Sequence, residues 1–229
     1  MYDLEELRNK ILNKIKSKFD IKQLDMNFKE EFYYPKSIHL LKFNIEQYQI
    51  KNLGNLAILK GKGLGIMKML TVVFTPSITK DIPLVIIDFI KMANKRTVFI
   101  EFYTNHIIQK ESINGLENRL EKLNIKYEYI ENYIESINWY TTLRNKYSIL
   151  KKSTKKYDKI LYEMVLENLE EYLSYVQNIK IESNEKNTKL ETFINDLIYK
   201  GNPSTSVLEK ALGKEETIKL FKEIIFNYK

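Results

Sequence analysis

Asp88 stands inside the run Ile82-Pro83-Leu84-Val85-Ile86-Ile87-Asp88-Phe89-Ile90, whose other members are bulky and apolar. Side chains alternate between the two faces of a strand, so Leu84, Ile86, Asp88 and Ile90 share a face, and the carboxylate points where those aliphatics point. An ionised carboxylate buried there costs several kcal/mol unless it is paired. Its pKa rises instead, and a carboxyl that keeps its proton near neutrality is what general-acid catalysis requires. The alternative is an edge-strand Asp facing water, or a strand that ends before residue 88. The strand pattern alone leaves both readings open.

Other chemistries are narrowed by what the composition lacks. None of the 229 residues is a cysteine, which removes disulfides, thiolate nucleophiles, Cys-ligated iron–sulfur clusters and zinc ribbons together. The two histidines, His39 and His106, lie far apart in sequence and read as packing or surface residues, so no His-based metal site is expected. No Ser/His/Asp arrangement has a local signature. Gly61-Lys62-Gly63-Leu64-Gly65 has neither the spacing of a dinucleotide fingerprint nor the Lys-Ser/Thr of a P-loop, and reads as a hairpin turn. The Lys151-Lys152…Lys155-Lys156 cluster reads as a solvated charged loop rather than a phosphate site. Redox chemistry in such a chain would draw its electrons from an external carrier or a bound organic molecule; no tightly bound cofactor is expected.

The net charge is +7, from 37 Lys and Arg against 30 Asp and Glu. A basic surface suits nucleic acid, anionic lipid or an acidic protein. Lys, Ile, Asn and Tyr are all abundant, however, and their codons are rich in A and T, so genome composition alone can supply such a charge. A nucleic-acid role would rest on charge only, because no strand of exposed aromatics marks an RNA-binding surface. No run of about eighteen apolar residues is present to span a membrane. Met1-Tyr2-Asp3-Leu4-Glu5-Glu6 has neither the basic start nor the apolar core of a signal peptide, so a cytoplasmic protein is expected.

The elements that must position Asp88 follow from periodicity. Leu4, Leu7, Ile11, Ile15 and Phe19 form one stripe and predict a helix over 3–19. Strands are expected at 38–45, 56–59, 66–74, 84–90 and 97–103, and their short links favour an antiparallel meander. Helices follow at 112–124 and at 157–177, the latter with a wide apolar stripe. Residues 179–189 are polar and read as a mobile loop, with a further helix over 190–199. Asn202 and Pro203 then read as the cap and first position of a helix that Gly213 stops, and a last helix covers 214–227. One domain over 1–229 is expected: a three-layer α/β/α sandwich, its central antiparallel sheet flanked by helices from both ends of the chain.

Two stretches carry a resemblance. Thr71-Val72-Val73-Phe74-Thr75-Pro76 is followed after six residues by Pro83 and then by Asp88. This resembles the central strands of the ferredoxin-dependent bilin reductases, in which an aromatic-Pro or aromatic-x-Pro turn precedes a Pro by seven positions and a catalytic Asp stands five positions beyond. The far end, Lys200-Gly-Asn-Pro-Ser204-Thr-Ser-Val-Leu208-Glu-Lys-Ala-Leu-Gly213 and then Ile224-Ile-Phe226, is similar to the family's C-terminal signature, with thirteen positions from Gly213 to Phe226.

The resemblance implies a bilin held between the sheet and the C-terminal helices. It also implies two-electron reduction of biliverdin or a related open-chain tetrapyrrole, with electrons arriving singly from reduced ferredoxin or flavodoxin through a substrate radical. Asp88 falls on the family's proton-donating Asp. Thr71 falls where several members have a catalytic His, and Leu59 where some have a Glu; neither donates a proton as those do. Thr71 is expected instead to hydrogen-bond the substrate or a water. Other members use a second Asp from the C-terminal helical side, for which Asp196 is the candidate. The missing His and Glu are equally the motive for a non-catalytic tetrapyrrole carrier on the same scaffold, and a chlorophyll-catabolite reductase is a related possibility. A monomer is expected, with its positive charge suited to an acidic ferredoxin.

Overall fold

The β-branched and aromatic runs of the first half pair into one antiparallel sheet of eight strands in the computed structural model, which describes residues 2–35, 40–63, 65–104, 110–178 and 187–228. The strands are β1 (Ile21–Gln23), β2 (Glu31–Tyr34), β3 (Leu41–Ile50), β4 (Gly54–Gly63), β5 (Met67–Pro76), β6 (Leu84–Met92), β7 (Lys95–Tyr103) and β8 (Ile149–Thr154). From β3 to β7 each strand pairs with the next in sequence; β8 closes one edge, and β1 and β2 both pair with β3 at the other. This is the expected meander, lengthened at both edges. The part of the 38–45 strand that precedes residue 40 lies outside the described residues, as do His39 and His106 and most of the 179–189 loop.

Alternation along the strands builds two separate cores. One face carries Ile58, Leu70, Val72, Ile87, Phe89, Val98, Ile100 and Phe102 against α1 (Leu4–Lys16), α2 (Lys110–Lys126) and α3 (Asp158–Asn178). The other carries Ile45, Ala57, Leu59, Val73, Leu84 and Tyr103 against α4 (Thr188–Tyr199), α5 (Thr205–Leu212), α6 (Lys214–Leu220) and the C-terminal segment. The expected three-layer α/β/α sandwich is therefore present. On the first face, α3 also fixes the start of β6, because the buried Tyr172 hydroxyl donates to the Pro83 carbonyl at 3.0 Å.

Three local readings are corrected in part. Only part of the Lys151 cluster is a solvated segment: Lys155 and Lys156 are exposed, but Lys151 lies within edge strand β8, is buried, and donates to the Ile130 carbonyl at 2.9 Å and to Asn132 Oδ1 at 2.7 Å. A lysine-rich strand suits a sheet edge, where charge discourages pairing with another chain. The glycine cluster does span the hairpin between β4 and β5, with Gly65 in its turn, but Gly61 and Gly63 belong to β4, and a Cβ on Gly61 would lie 2.4 Å from Met69 Cγ of β5. The last helix is interrupted: α6 stops at Leu220 and a single π-turn, Phe221–Ile225, follows.

That π-turn is tied to the sheet. A helix end leaves its last carbonyls without partners of their own, and here the sheet supplies them. Asn55 Nδ2 donates to the Ile224 carbonyl at 2.8 Å, Gln47 Nε2 to the Glu223 carbonyl at 3.0 Å, and Thr75 Oγ1 to the Ile225 carbonyl at 3.2 Å. Gln47 also donates to Asn55 Oδ1 at 2.8 Å, and all three side chains are buried. Polar residues in the middle of strands are thus used to seat the C-terminal segment, which brings Phe221, Ile225 and Phe226 over the sheet.

Candidate active site

Pro76 ends β5 and Pro83 immediately precedes β6, so the two prolines bracket the turn of one hairpin. Thr71 lies five residues before the first and Asp88 five after the second. Antiparallel pairing therefore sets Thr71 directly opposite Asp88, and Leu59 on β4 opposite Thr71. The three positions singled out by the resemblance form one rung across three adjacent strands, all on the face toward the C-terminal helices.

Over this rung lies a narrow cleft of about 50 Å³. Its floor is the sheet: Leu59, Thr71, Val73, Ile86, Asp88, Glu101 and Tyr103. Its roof comes from α4 (Leu197), the α4–α5 connection (Asn202, Pro203, Ser204) and the C-terminal segment (Phe221, Ile225, Phe226). The connection is held in place from within and from outside. Asn202 Oδ1 accepts from the Ser204 backbone at 3.0 Å, Asn202 Nδ2 donates to the Leu197 carbonyl at 3.1 Å, and Trp139 Nε1 donates to the Gly201 carbonyl at 3.1 Å. α5 begins at Thr205, two residues later than Pro203 at the first position would give, because Asn202 caps this turn rather than the helix itself.

Asp88 is the acid of this rung. Thr71 Oγ1 donates to Asp88 Oδ1, and among the described residues no donor reaches Oδ2. The side chain is only partly exposed, and its open side is the cleft. Desolvation pushes its pKa up to about 7 from an ordinary 3.8; the Thr71 hydrogen bond favours the charged form and pulls the other way, while a charge on Glu101 would add to the rise. The alternative of an edge-strand Asp is overturned, since β6 is paired on both sides.

Glu101 was not anticipated. It lies on β7 opposite Ile86, one diagonal step from Asp88 on the same face. Arg144 Nη1 donates to its Oε1 at 2.6 Å and the Tyr103 hydroxyl to the same oxygen at 3.3 Å; Arg144 Nη2 reaches on to Glu135. Burial raises the Glu101 pKa, and Arg144 opposes the rise. The signal was in the sequence: Val98-Phe99-Ile100-Glu101-Phe102-Tyr103 is as apolar around its acid as the run around Asp88.

Asp196 is not brought to this cleft. α4 buries Leu190, Phe193, Ile194, Leu197 and Ile198, and Asp196 lies on the flank of that stripe, where its Oδ2 accepts from Lys200 Nζ at 2.8 Å. Among the described residues no three His, Cys, Asp or Glu side chains come together as a metal site, and no helix is long and apolar enough to cross a membrane.

No protein-family model matches this sequence, and no curated protein does. Among solved structures, the chain is similar to tomato phytochromobilin synthase in complex with biliverdin, with a TM-score of 0.81 over 99% of this chain and 83% of that one. Sequence identity is 10%, so the likeness is one of fold. That enzyme is a ferredoxin-dependent bilin reductase, the family whose strand and C-terminal motifs this sequence resembles.

Proposed function

We propose that this chain binds an open-chain tetrapyrrole such as biliverdin in the cleft between the sheet and the C-terminal segment and reduces it by two electrons. The electrons come one at a time from reduced ferredoxin or flavodoxin, and Asp88 gives a proton to a pyrrole nitrogen, lactam oxygen or vinyl-linked carbon. The observation that carries the reading is the Asp88 carboxyl. It is poised to hold a proton near neutrality at the floor of a cleft, in a fold shared with a biliverdin-bound phytochromobilin synthase. Thr71 fixes one oxygen of that carboxyl and leaves the other toward the substrate.

The test is an absorbance titration with biliverdin, followed anaerobically by reduced ferredoxin. A shifted bound spectrum, then loss or blue-shift of the long-wavelength band, is expected for the native protein. Asp88→Asn is expected to bind biliverdin with unchanged affinity and to lose about 10²–10⁴-fold in turnover; full activity in this variant would sink the assignment. The second reading, a non-catalytic tetrapyrrole carrier, is favoured by Thr71 and Leu59 standing in the floor where a His and a Glu would donate. It expects binding without any spectral change on reduction.

A further inference from the structure

We infer that Glu101 is the second proton-donating carboxyl of the cleft, supplying the bound tetrapyrrole with the proton that Asp88 does not. The inference rests on the bilin-reductase reading and completes its stoichiometry. Reducing one carbon–carbon double bond takes two electrons, here from two reduced one-electron carriers, and two protons. Asp88 and Glu101 would each lose one proton and end as carboxylates, the double bond would become single, and two carriers would leave oxidised. Water then returns a proton to each carboxylate.

The geometry treats the two acids alike. Both line the floor of one cleft, on neighbouring strands and one diagonal step apart, a separation of roughly 7–8 Å between backbones in an antiparallel pair. Each is gripped by one oxygen: Asp88 Oδ1 by Thr71, Glu101 Oε1 by both Arg144 and Tyr103. Among the described residues no donor reaches Asp88 Oδ2 or Glu101 Oε2. A carboxyl held this way is aimed, and its second oxygen is left to carry a proton toward whatever fills the cleft.

Charge points the same way. Arg144 pairs with Glu101 and Glu135, and Asp88 lies one diagonal step from Glu101, so full ionisation of the three acids would leave a net charge of −2 beside the floor. Glu135 keeps a quarter of its side chain in water and also pairs with Arg144. Glu101, at 7% exposure, has far less solvent to support a charge. Among the described residues no acid of the C-terminal elements lines the cleft, whose roof residues are Leu197, Asn202, Pro203, Ser204, Phe221, Ile225 and Phe226.

The experiment is single-turnover reduction of the biliverdin complex by reduced ferredoxin under anaerobic conditions, followed by absorbance and electron paramagnetic resonance. Glu101→Gln is expected to bind biliverdin as the native protein does and to accept the first electron. It should then hold the bilin radical and form product about 10²–10⁴-fold more slowly. Glu101→Asp should restore part of the rate, which a merely structural role would not require. Native rates in Glu101→Gln, with an active native protein, overturn the inference and leave the reductase reading standing. Failure of the native protein itself to reduce the bilin overturns both. If Glu101→Gln does not fold, infrared difference spectra of the native complex decide: two protonated carboxyl bands, only one of them lost in Asp88→Asn, support the inference, and a single band overturns it.

Discussion

A carboxyl at the floor of a cleft is useful as an acid only if its environment resists ionisation, and at Asp88 three influences set that resistance. Burial raises the pKa, Thr71 lowers it and a charge on Glu101 would raise it further, with a result of about 7. The sign for stability follows. An acid whose folded pKa stands above its ordinary 3.8 binds its proton more tightly when folded, so its contribution is fully present below that value and is lost as pH rises toward 7. Asp88→Asn keeps the acceptor for Thr71 and removes the ionisable group. The variant is therefore expected to melt above the native protein at pH 8, by a margin that narrows toward pH 5. Thermal melts across that range check this, and a margin independent of pH would show that Asp88 is ionised throughout. Catalysis runs in parallel, because the protonated fraction of Asp88 falls above about 7, and turnover should decline on that limb.

At the scale of elements, the roof depends on polar groups set into strands. Asn55→Ala would leave the Ile224 carbonyl with only the long 3.4 Å contact from Gln47, remove the contact to Ile225 and take from Gln47 one of its acceptors. Buried groups left unpaired in this way cost about 2–3 kcal/mol, or about 5–10 °C in melting temperature for a chain of this size. Biliverdin affinity should fall as well, because Phe221, Ile225 and Phe226 ride on that segment. Calorimetry and the absorbance titration check the two effects; unchanged values in both would mean that the apolar contacts alone seat the roof. The same elements show what the sequence could reveal. Strands β4 to β7 were legible because their apolar alternation is strong, and the pairing of Thr71 with Asp88 was implicit in their equal distances from Pro76 and Pro83. Strand β8 was not, because Lys151-Lys152-Ser153-Thr154 has the composition of a loop and only pairing with β7 makes it a strand. Helix α4 is legible, but the flank on which Asp196 stands is not, because spacing along the chain does not say which flank of a helix meets the cleft. Glu101 carried the same signal as Asp88 and lacked only a motif to draw attention to it.

At the scale of the whole molecule, the sheet separates two layers of different character. The face toward α1, α2 and α3 is filled by one large apolar cluster with the long helix α3 across it. The opposite face bears the carboxyls and the cleft, and is closed by four short elements of twelve residues or fewer. Local opening is drawn from the side with shorter elements and fewer apolar contacts, so a substrate can reach the cleft while the first core stays intact. Around both layers the surface carries an excess of seven positive charges. Charge of that sign accelerates encounter with an acidic electron carrier and does little for chemistry after docking. Raising ionic strength from low to physiological levels shortens the screening length to about 8 Å. It should therefore raise the KM for ferredoxin several-fold while leaving kcat at saturating ferredoxin and the affinity for biliverdin nearly unchanged. Steady-state reduction at a series of salt concentrations measures all three. A KM insensitive to salt would mean that the basic excess is spread away from the docking surface, and that the carrier is recognised by apolar contact instead.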